Sequence, residues 1–385
     1  MKRNLLYAFI TSGLLAICCV VYTSCSKKEA AATNGSQVAR PAAITSFNHP
    51  GVLNNTASLD LIAAQANGGN TARLSAYQKV LDYVNGQTVP TTFYATVTVG
   101  SNGVSTASKD QIRRDAELAY ALALRWAKTG SATYAQQCIQ ILNGWSYTFQ
   151  NYALVPNAGT NAYQPGLEAS WTTPTFVAAA EIMRYYKING TTGSGWSQAD
   201  IDQFGVYLNN VKNNYINNMP VYNNNWNASM GYAKMAIGVF LNSVSVYENG
   251  KAAVLQYLPI IIDSSGYIGE MCDRNDCVHY QYSLTAFSYA AEIATIQGDN
   301  SIWTANSSRI SAGYDFMRTA YTGAYCGVCA TSSPVFPGTE VANHHYNTAN
   351  LNYLRGLQAP LGIPNDRTFL GFTTYTHYNV SVSNF

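Results

Sequence analysis

The feature that most constrains the fold is a series of helix-length segments, from about residue 106 onward, in which apolar residues recur every three or four positions. The segments span residues 109–128, 132–148, 166–186, 198–218, 227–247, 251–262, 277–297 and 302–322. Loops of ordinary length connect them, and Pro174 is expected to bend the third segment. A succession of helices of this kind predicts an all-α protein.

Segments outside this series predict other structure. Residues 89–99 alternate like a strand, and we expect strands or an extended arm over a cleft. Residues 339–351 predict a short helix that carries His344 and His345; because adjacent helix positions point in different directions, only one of the two can face a given site. Residues 368–382 are aromatic and β-branched, which predicts a small sheet or a wrapped strand near the C-terminus.

The first residues have the pattern of a bacterial lipoprotein signal. Lys2 and Arg3 precede an apolar stretch at 5–21, and Cys25 follows small residues. We expect export and a lipidated Cys25 that anchors the chain in the cell envelope, on the periplasmic or outer face of the outer membrane. Cleavage nearby without lipid, or a single anchor helix, are the alternatives. The expected organisation is a signal segment at 1–25, a tether at 26–45 and a single domain at 46–385.

The composition indicates a protein that binds sugars rather than nucleic acids. The net charge is +2 and 11% of the residues are charged, so no basic patch is implied. The chain holds 29 tyrosines and many asparagines. Aromatic faces stack on pyranose rings and amides bond hydroxyl groups, although tyrosine is also a common packing residue. We expect a monomer that binds a polysaccharide, binds no nucleic acid, and meets the membrane only through its lipid.

Four cysteines form two pairs that are close in the sequence. Cys272 and Cys277 flank Asp-Arg-Asn-Asp, and Cys326 and Cys329 form a C-x-x-C. Export to an oxidising compartment favours disulfides, and we expect a Cys272–Cys277 bridge that constrains the loop around Arg274. A four-cysteine zinc site and a redox motif at Cys326–Cys329 are the alternatives.

Two polar clusters, each directly before an apolar helix, hold the candidate chemistry. They comprise Asn223, Asn224, Asn225 and Asn227 in the first, and Arg274, His279, Tyr280 and Tyr282 in the second. Amides and a cation can stabilise charge that develops on a carboxylate, and histidine or tyrosine can take and return a proton. This combination suits removal of a proton from the carbon next to a carboxylate. The alternative is that the asparagines cap a helix and the aromatic residues pack.

The first cluster resembles a motif of the alginate lyase family of polysaccharide lyases. The run Asn224-Asn225-Trp226 is similar to that family's Asn-Asn-His, with Trp226 in place of the histidine. Further blocks that resemble the family lie at residues 47–62, 138–149 and 340–346. The resemblance therefore covers about residues 47–354.

The second cluster extends the same resemblance. Arg274 or Asn275, followed by the run 281–284 (QYSL), is similar to the family's arginine and Asn-Tyr-Ala-Leu run two turns later. Asp276, His279 and the glutamine of QYSL match an Asp-x-x-His-x-Gln run of a related bacterial branch. The arginine spacing fits the family pattern only with a shift of one position.

The resemblance implies an (α/α) toroid of helical hairpins that cleaves a uronic-acid polymer, with alginate the leading substrate, by β-elimination and without a cofactor or metal. Asn225 and Asn227, with Arg274, would neutralise the substrate carboxylate. Tyr282 would protonate the leaving O4 with a pKa lowered by Arg274, and Tyr282 or His279 would remove the C5 proton. Further substrate contacts are expected from Trp171, Trp226, Tyr280, Gln281, His344, His345 and Tyr346, and Tyr280 is a third candidate base.

Two other functions stay open at this point. A glycoside hydrolase on the same toroid would need two carboxylates across the sugar, and the chain offers Glu168, Glu270, Asp273, Asp276 and Glu340. A non-catalytic sugar-binding lipoprotein would fit the replacement of the family's histidine by Trp226. Elimination creates a conjugated double bond, so the ultraviolet absorbance of the products separates these functions.

Overall fold

Helices make up most of the structure. The computed structural model describes residues 44–385, so the expected signal segment, Cys25 and nearly all of the tether lie outside the described residues. The helices are α1 (Thr56–Asn67), α2 (Thr71–Asn85), α3 (Ala107–Thr129), α4 (Ala132–Thr148), α5 (Gln164–Tyr185), α6 (Gln198–Asn214), α7 (Asn225–Phe240), α8 (Val244–Ile261), α9 (Glu270–Arg274), α10 (His279–Ile296), α11 (Ser301–Ala320), α12 (Gly338–Tyr346), α13 (Ala349–Gly356) and α14 (Thr373–His377). Two short strands, β1 (Thr96–Val99) and β2 (Asn151–Leu154), pair in parallel.

Four helices, α3, α5, α7 and α10, form the inner wall of the fold. Every residue of α7 is buried except Trp226, and every residue of α10 is buried except His279. The helix that follows each of them, α4, α6, α8 or α11, buries only part of its surface. An inner helix that is buried on all sides needs apolar neighbours on every side. An amphipathic outer helix covers one of those sides with its apolar face and turns its polar face to water.

The inner helices follow one another around a closed ring. Helix α3 packs on α5, α5 on α7, and α7 on α10. From α10 the ring continues through α12 and α14 to α1, which packs on α3. The predicted all-α toroid of helical hairpins is therefore confirmed. Within residues 44–385, no helix combines the length and apolar character needed to cross a bilayer.

Several predicted boundaries are wrong. Residues 227–247 form two helices, because Asn242 takes a left-handed conformation (φ 52°) between α7 and α8. Of residues 89–99, only the last four form a strand, and α5 continues through Pro174. Helices α1 and α2 have no counterpart among the predicted segments, although their buried residues recur at helical spacing, as Leu59, Ile62 and Ala66 do in α1.

The predicted sheet or strand at the C-terminal end is also wrong. Residues 368–382 contain the short helix α14. The guanidinium of Arg73, on α2, donates hydrogen bonds to the backbone carbonyls of Thr374, Tyr375 and Tyr378. Carbonyl groups at a helix C-terminus lack partners within the helix, so this contact with a distant arginine stabilises a helix that local sequence does not indicate.

Candidate active site

A cavity of about 700 Å³ opens where the N-terminal parts of the four inner helices converge. Its walls include Lys109 and Arg113 from α3, Gln164, Leu167 and Trp171 from α5, Asn225 and Trp226 from α7, and His279 and Tyr282 from α10. Gln164, Asn225 and His279 are each the first residue of their helix. A helix N-terminus carries partial positive charge, so the ends gathered here favour an anionic ligand.

Loops complete the walls of the cavity. Residues 100–103 follow β1, Asn161 follows β2, and Asp366 and Thr368 come from the chain before α14. The hydroxyl of Ser101 donates to Gln164 Oε1 at 2.8 Å and accepts the backbone N–H of Asn161 at 3.1 Å. These bonds join the two strand-following loops to the start of α5.

Tyr282 lies in the cavity wall with its ring enclosed by aromatic side chains. The ring centroids of Trp171 and Phe336 lie 5.2 and 5.3 Å from that of Tyr282. The Tyr282 hydroxyl donates a hydrogen bond to Oδ2 of Asp366, which lies 84 residues further along the chain. Thr368 fixes this carboxylate, because its hydroxyl and its N–H donate to Oδ1 at 2.8 and 3.2 Å. No sequence motif indicated Asp366.

The surroundings of Tyr282 favour its neutral form. Burial raises the pKa of Tyr282, the charge and hydrogen bond of Asp366 raise it further, and Arg113 only partly opposes them. The expectation that Arg274 lowers this pKa is therefore wrong. A phenol held neutral in this way is suited to donating a proton rather than to removing one from carbon.

His279 forms a three-membered chain with Asp276 and Arg274. Its Nδ1 lies 2.6 Å from Asp276 Oδ2, and its Nε2 lies 3.3 Å from Arg274 Nη2. Because a guanidinium only donates, Nε2 is the accepting nitrogen and Nδ1–H donates to the carboxylate. Burial disfavours ionised Asp276, yet hydrogen bonds from the side chain and backbone of His279 and from Val278 lower the pKa of Asp276. The result is an imidazole whose Nε2 carries a lone pair at the cavity wall.

Asn225 is oriented by a buried carboxylate. Its Nδ2 donates to Glu270 Oε1 at 2.6 Å and its backbone N–H donates to Oε2 at 3.0 Å. Burial raises the pKa of Glu270, while the hydrogen bonds from Asn225 oppose that rise. The amide oxygen Oδ1 of Asn225 has no partner and is buried. An amide oxygen accepts but does not donate, so this atom fits a sugar hydroxyl better than an ionised carboxylate.

An ion pair that no motif indicated lies beside Tyr282. Arg113 Nε donates to Glu168 Oε1 at 2.6 Å, Nη2 donates to Oε2, and Nη1 donates to the carbonyl of Asp366 at 2.8 Å. Burial alone would lower the pKa of Arg113, but Glu168 raises it above its ordinary value. With Arg113 neutralised by Glu168, Arg274 is the arginine of the cavity that is free to meet a substrate carboxylate.

Asn227, Tyr280 and Gln281 were expected in the site, but they lie outside the cavity. Oδ1 of Asn227 accepts two backbone N–H groups of the loop before α7, at 2.7 and 2.8 Å. Tyr280 is fully buried. Gln281 donates to the carbonyl of Pro334 at 2.8 Å and accepts the N–H of Phe336 at 3.0 Å. These side chains hold the loops around the site, because their positions on each helix point away from the face that meets the cavity.

His344, His345 and Tyr346 also lie away from the cavity, in α12. The His345 ring stacks on Trp303 with centroids 4.4 Å apart, and the Tyr346 hydroxyl donates to the Trp303 carbonyl. Burial lowers the pKa of His344 and of His345 to about 4, with His345 contributing to the shift of His344. Both imidazoles are therefore neutral packing groups, and neither lines the cavity.

Four of the five carboxylates named for a hydrolase are engaged: Glu168, Glu270, Asp276 and Glu340 bind Arg113, Asn225, His279 and Arg355, respectively. The fifth, Asp273, does not line this cavity, and Asp366, which does, accepts from the Tyr282 hydroxyl. Hydrolysis of a glycosidic bond uses one carboxyl group as acid and a second as base or nucleophile. Those lining this cavity, Asp276 and Asp366, instead orient a histidine and a tyrosine.

The cysteine pairing differs from the expected one. Disulfides join Cys272 to Cys326 and Cys277 to Cys329, so the expected Cys272–Cys277 bridge is wrong, as are the zinc site and the redox motif. The α10–α11 hairpin brings the two segments together, and the bridges tie the loop of Arg274 to the loop after α11. In the part of the chain that the structure describes, no three His, Cys, Asp or Glu side chains are grouped to hold a metal ion.

A toroid of helical hairpins whose cavity combines a neutral tyrosine, an Asp–His pair and an available arginine is a polysaccharide lyase in architecture. The sequence profile of the family described as alginate lyase matches residues 66–324. The chain belongs to the alginate lyase family, and the predicted family is confirmed.

Solved structures share the fold. Alginate lyase A1-III from Sphingomonas species A1 has 16% identity and a TM-score of 0.64, with 86% of this chain and 98% of that chain covered. A histidine-to-alanine variant of that lyase complexed with a tetrasaccharide has 16% identity and a TM-score of 0.66, covering 89% and 99%. An alginate lyase from Bacteroides ovatus has 12% identity and a TM-score of 0.63, covering 86% and 100%. No curated protein matches the chain.

Proposed function

We propose that this lyase cleaves alginate by β-elimination in the 700 Å³ cavity, with His279 as the base and Tyr282 as the acid. The observation that carries the assignment is the pair of carboxylate contacts: Asp276 holds the His279 proton on Nδ1, and Asp366 accepts from the Tyr282 hydroxyl. One group thus offers a lone pair and the other a proton. The tetrasaccharide complex of A1-III supports an oligosaccharide as the ligand of this fold.

Arg274 couples substrate binding to activation of the base. In the free enzyme its Nη2 lies against Nε2 of His279. A uronate carboxylate is a stronger acceptor for a guanidinium than an imidazole nitrogen, so an arriving substrate draws Arg274 away and frees Nε2. The same guanidinium then neutralises the carboxylate as negative charge develops on it, while Asn225 Oδ1 accepts a sugar hydroxyl.

The proton steps balance within the site. His279 Nε2 takes the C5 proton, the C4–C5 double bond forms, the bond from C4 to O4 breaks, and Tyr282 gives its proton to O4. The site is left with an imidazolium beside a phenolate, and their rings are in contact with centroids 5.3 Å apart. Return of the proton from His279 to Tyr282 restores the neutral imidazole and the neutral phenol, and burial and Asp366, which raise the pKa of Tyr282, favour this return.

The contact between His279 and Tyr282 also bears on substrate stereochemistry. Side chains that touch each other approach a pyranose ring from one side and cannot bracket it. Mannuronate and glucuronate carry the C5 hydrogen and O4 on the same side of the ring, whereas guluronate, the C5 epimer of mannuronate, carries them on opposite sides. The site therefore favours mannuronate-type residues.

A panel of polymannuronate, polyguluronate and polyglucuronate tests the function. We expect ultraviolet absorbance from a new conjugated double bond, with the largest kcat/KM on a same-side polymer. New reducing ends without this absorbance would show a hydrolase, and binding without products would show a sugar-binding protein. Faster cleavage of polyguluronate would contradict the same-side geometry while leaving the elimination itself intact.

Replacement of His279 by alanine is expected to lower kcat on polymannuronate about a hundredfold, the usual scale for a positioned base. Asp276→Asn should lower it less, because the imidazole keeps a hydrogen-bond partner but loses the charge that stabilises its protonated form. Partial recovery of the His279→Ala variant by added imidazole would identify the lost group as a base. A folded His279→Ala variant with near-normal kcat would remove His279 from the mechanism.

A further inference from the structure

A cavity of about 390 Å³, which we call the lysine pocket, lies between α6, α7 and α8. Its walls comprise Lys212, Asn217, Lys234, Ser245, Val246 and Asn249. None of these residues lines the 700 Å³ cavity. Lys234 follows Asn225 by nine positions in α7, which is about two and a half helical turns, or about 14 Å along the axis. The lysine pocket therefore lies on the opposite face of α7 from the cleavage cavity.

Lys234 is a buried cation that no carboxylate neutralises. The residue is 8% exposed, and within residues 44–385 neither Lys234 nor Lys212 has an Asp or Glu oxygen within 4.0 Å. Burial lowers the pKa of Lys234, and no neighbouring charge opposes this effect. Its Nζ donates to Oδ1 of Asn249 at 3.0 Å, although an ammonium group has three donors. A buried charge is costly unless it is paired, so an anion in the pocket would supply the missing partner.

The stem of Lys234 is held where α7 and α8 approach each other closely. A β-carbon at Gly250 of α8 would lie 2.8 Å from Cβ of Lys234 and 2.7 Å from the backbone nitrogen of Met235. Only a glycine allows this approach, so the two helices enclose the stem and leave the ammonium group at the pocket wall. Because the side chain is already ordered, an anion that binds to it pays little of the usual entropy cost of fixing a lysine.

The remaining walls suit an anion that also carries hydroxyl groups. Asn217, Ser245 and Asn249 are exposed and offer amide and hydroxyl groups, which can donate to sugar hydroxyls and accept from them. Val246 adds an apolar surface for the C–H groups of a sugar ring. Glu248 lies beside Asn249 in α8 but does not line the pocket. A uronate residue, with one carboxylate and several hydroxyls, matches this combination.

We propose that the lysine pocket binds a uronate residue of the polysaccharide at a distance from the bond being cleaved, with Lys234 and Lys212 pairing with its carboxylate. The inference rests on the proposed cleavage of a uronic-acid polymer. Sugars in the cleavage cavity do not reach the pocket, because α7 separates the two. A remote part of a long chain does reach it, and attachment at two places raises the apparent affinity for the polymer without changing the chemical step.

The kinetic test compares polymannuronate with the mannuronate tetramer. Lys234→Met keeps the aliphatic bulk and removes the charge, and it should raise KM on the polymer about tenfold, the scale of one lost charge-assisted hydrogen bond. Lys212→Gln should raise this KM in the same direction. The kcat on the polymer and both constants on the tetramer should stay within about twofold of the wild type, since the pocket acts on polymer binding alone. Lys187→Met, which removes an exposed charge after α5, is the control for the loss of one positive charge.

Binding is measured separately in the His279→Ala variant, which lacks the proposed base. Polymannuronate in a native gel should retard this variant, and adding Lys234→Met should reduce the retardation while adding Lys187→Met should not. This measurement reports on the pocket whether or not unsaturated products form. Absence of such products from every substrate would contradict elimination, whereas Lys234-dependent retardation would still support the pocket.

Three results would overturn the proposal. The first is an unchanged polymer KM and unchanged retardation in both lysine variants, and the second is an equal rise of KM on tetramer and polymer. The third is a small-anion site only: inorganic phosphate raises the thermal midpoint of the wild type but not of Lys234→Met, while polymer retardation is the same in both backgrounds. Misfolding is separated from these results by the thermal midpoint, which Lys234→Met should leave equal or raise because methionine replaces a buried charge.

Discussion

Replacement of Tyr282 by phenylalanine is expected to lower kcat on polymannuronate at least about a hundredfold, because the reaction loses its positioned proton donor. The Tyr282 ring packs between Trp171 and Phe336, and phenylalanine keeps those contacts. The variant should therefore fold and still bind oligomers, so that the loss falls on kcat rather than on KM. Initial rates of absorbance increase, with thermal unfolding as the check on folding, measure both.

Tyr280→Phe is the matched control for this change. It removes a hydroxyl two positions away on the same helix, where the side chain is buried beside the sulfurs of Cys277 and Cys329 rather than in the cavity. We expect kcat within about twofold of the wild type. The hydroxyl is buried away from the cavity, so its removal should affect the stability of the protein rather than its turnover. Near-normal turnover of folded Tyr282→Phe would mean that another group or water protonates O4.

Asp366 explains why Tyr282 acts as the acid in this proposal. Tyrosine can serve as a base only as phenolate, and a neighbouring carboxylate that accepts a hydrogen bond from its hydroxyl opposes that form. From the sequence, Arg274 is expected beside Tyr282 and would favour the phenolate. The structure brings Asp366 to the tyrosine and leaves Arg274 against His279. Of the two candidate bases that the sequence leaves open, this arrangement favours His279 and leaves Tyr282 the role of acid.

The part of the site that local sequence predicts is the part that lies on single helices. The run from Asn225 to Trp226 begins α7, and His279 and Tyr282 share one face of α10 at a spacing of three residues. Their convergence follows from helix periodicity and from the order of helices around a toroid. The same reasoning correctly predicts the all-α fold, because inner and outer helices alternate along the chain.

The rest of the site depends on contacts between segments that are far apart in the chain. Glu168 meets Arg113 at a separation of 55 residues, and Asp366 meets Tyr282 at 84. Such pairs have no spacing rule, since they depend on how helices pack and where loops cross. For His345 the local sequence indicates a site residue where the structure shows none. Residues 340–346 resemble the family, but the His345 ring packs against Trp303.

The disulfides are expected to have the largest effect on stability. They close loops with sequence separations of 54 and 52 residues, and the chain-entropy model assigns about 4 kcal/mol to each loop of that size. The two loops overlap, so the combined contribution is less than the sum. Reduction should shift the urea midpoint strongly downward, and Cys138→Ala, which removes the free buried thiol of the described residues, serves as the control for effects of thiol chemistry alone.

The same bridges should matter for turnover, because of where they attach. Arg274 and Asp276 lie between Cys272 and Cys277, so both ends of this loop are tied to the segment after α11. That segment leads to Phe336, which stacks on Tyr282. Cys272→Ser with Cys326→Ser should therefore lower kcat at least about tenfold under conditions where the variant is still folded, since small displacements of catalytic groups are costly. Equal kcat and equal unfolding midpoints for the oxidised and reduced protein would contradict this role, as would a peptide map that joins Cys272 to Cys277.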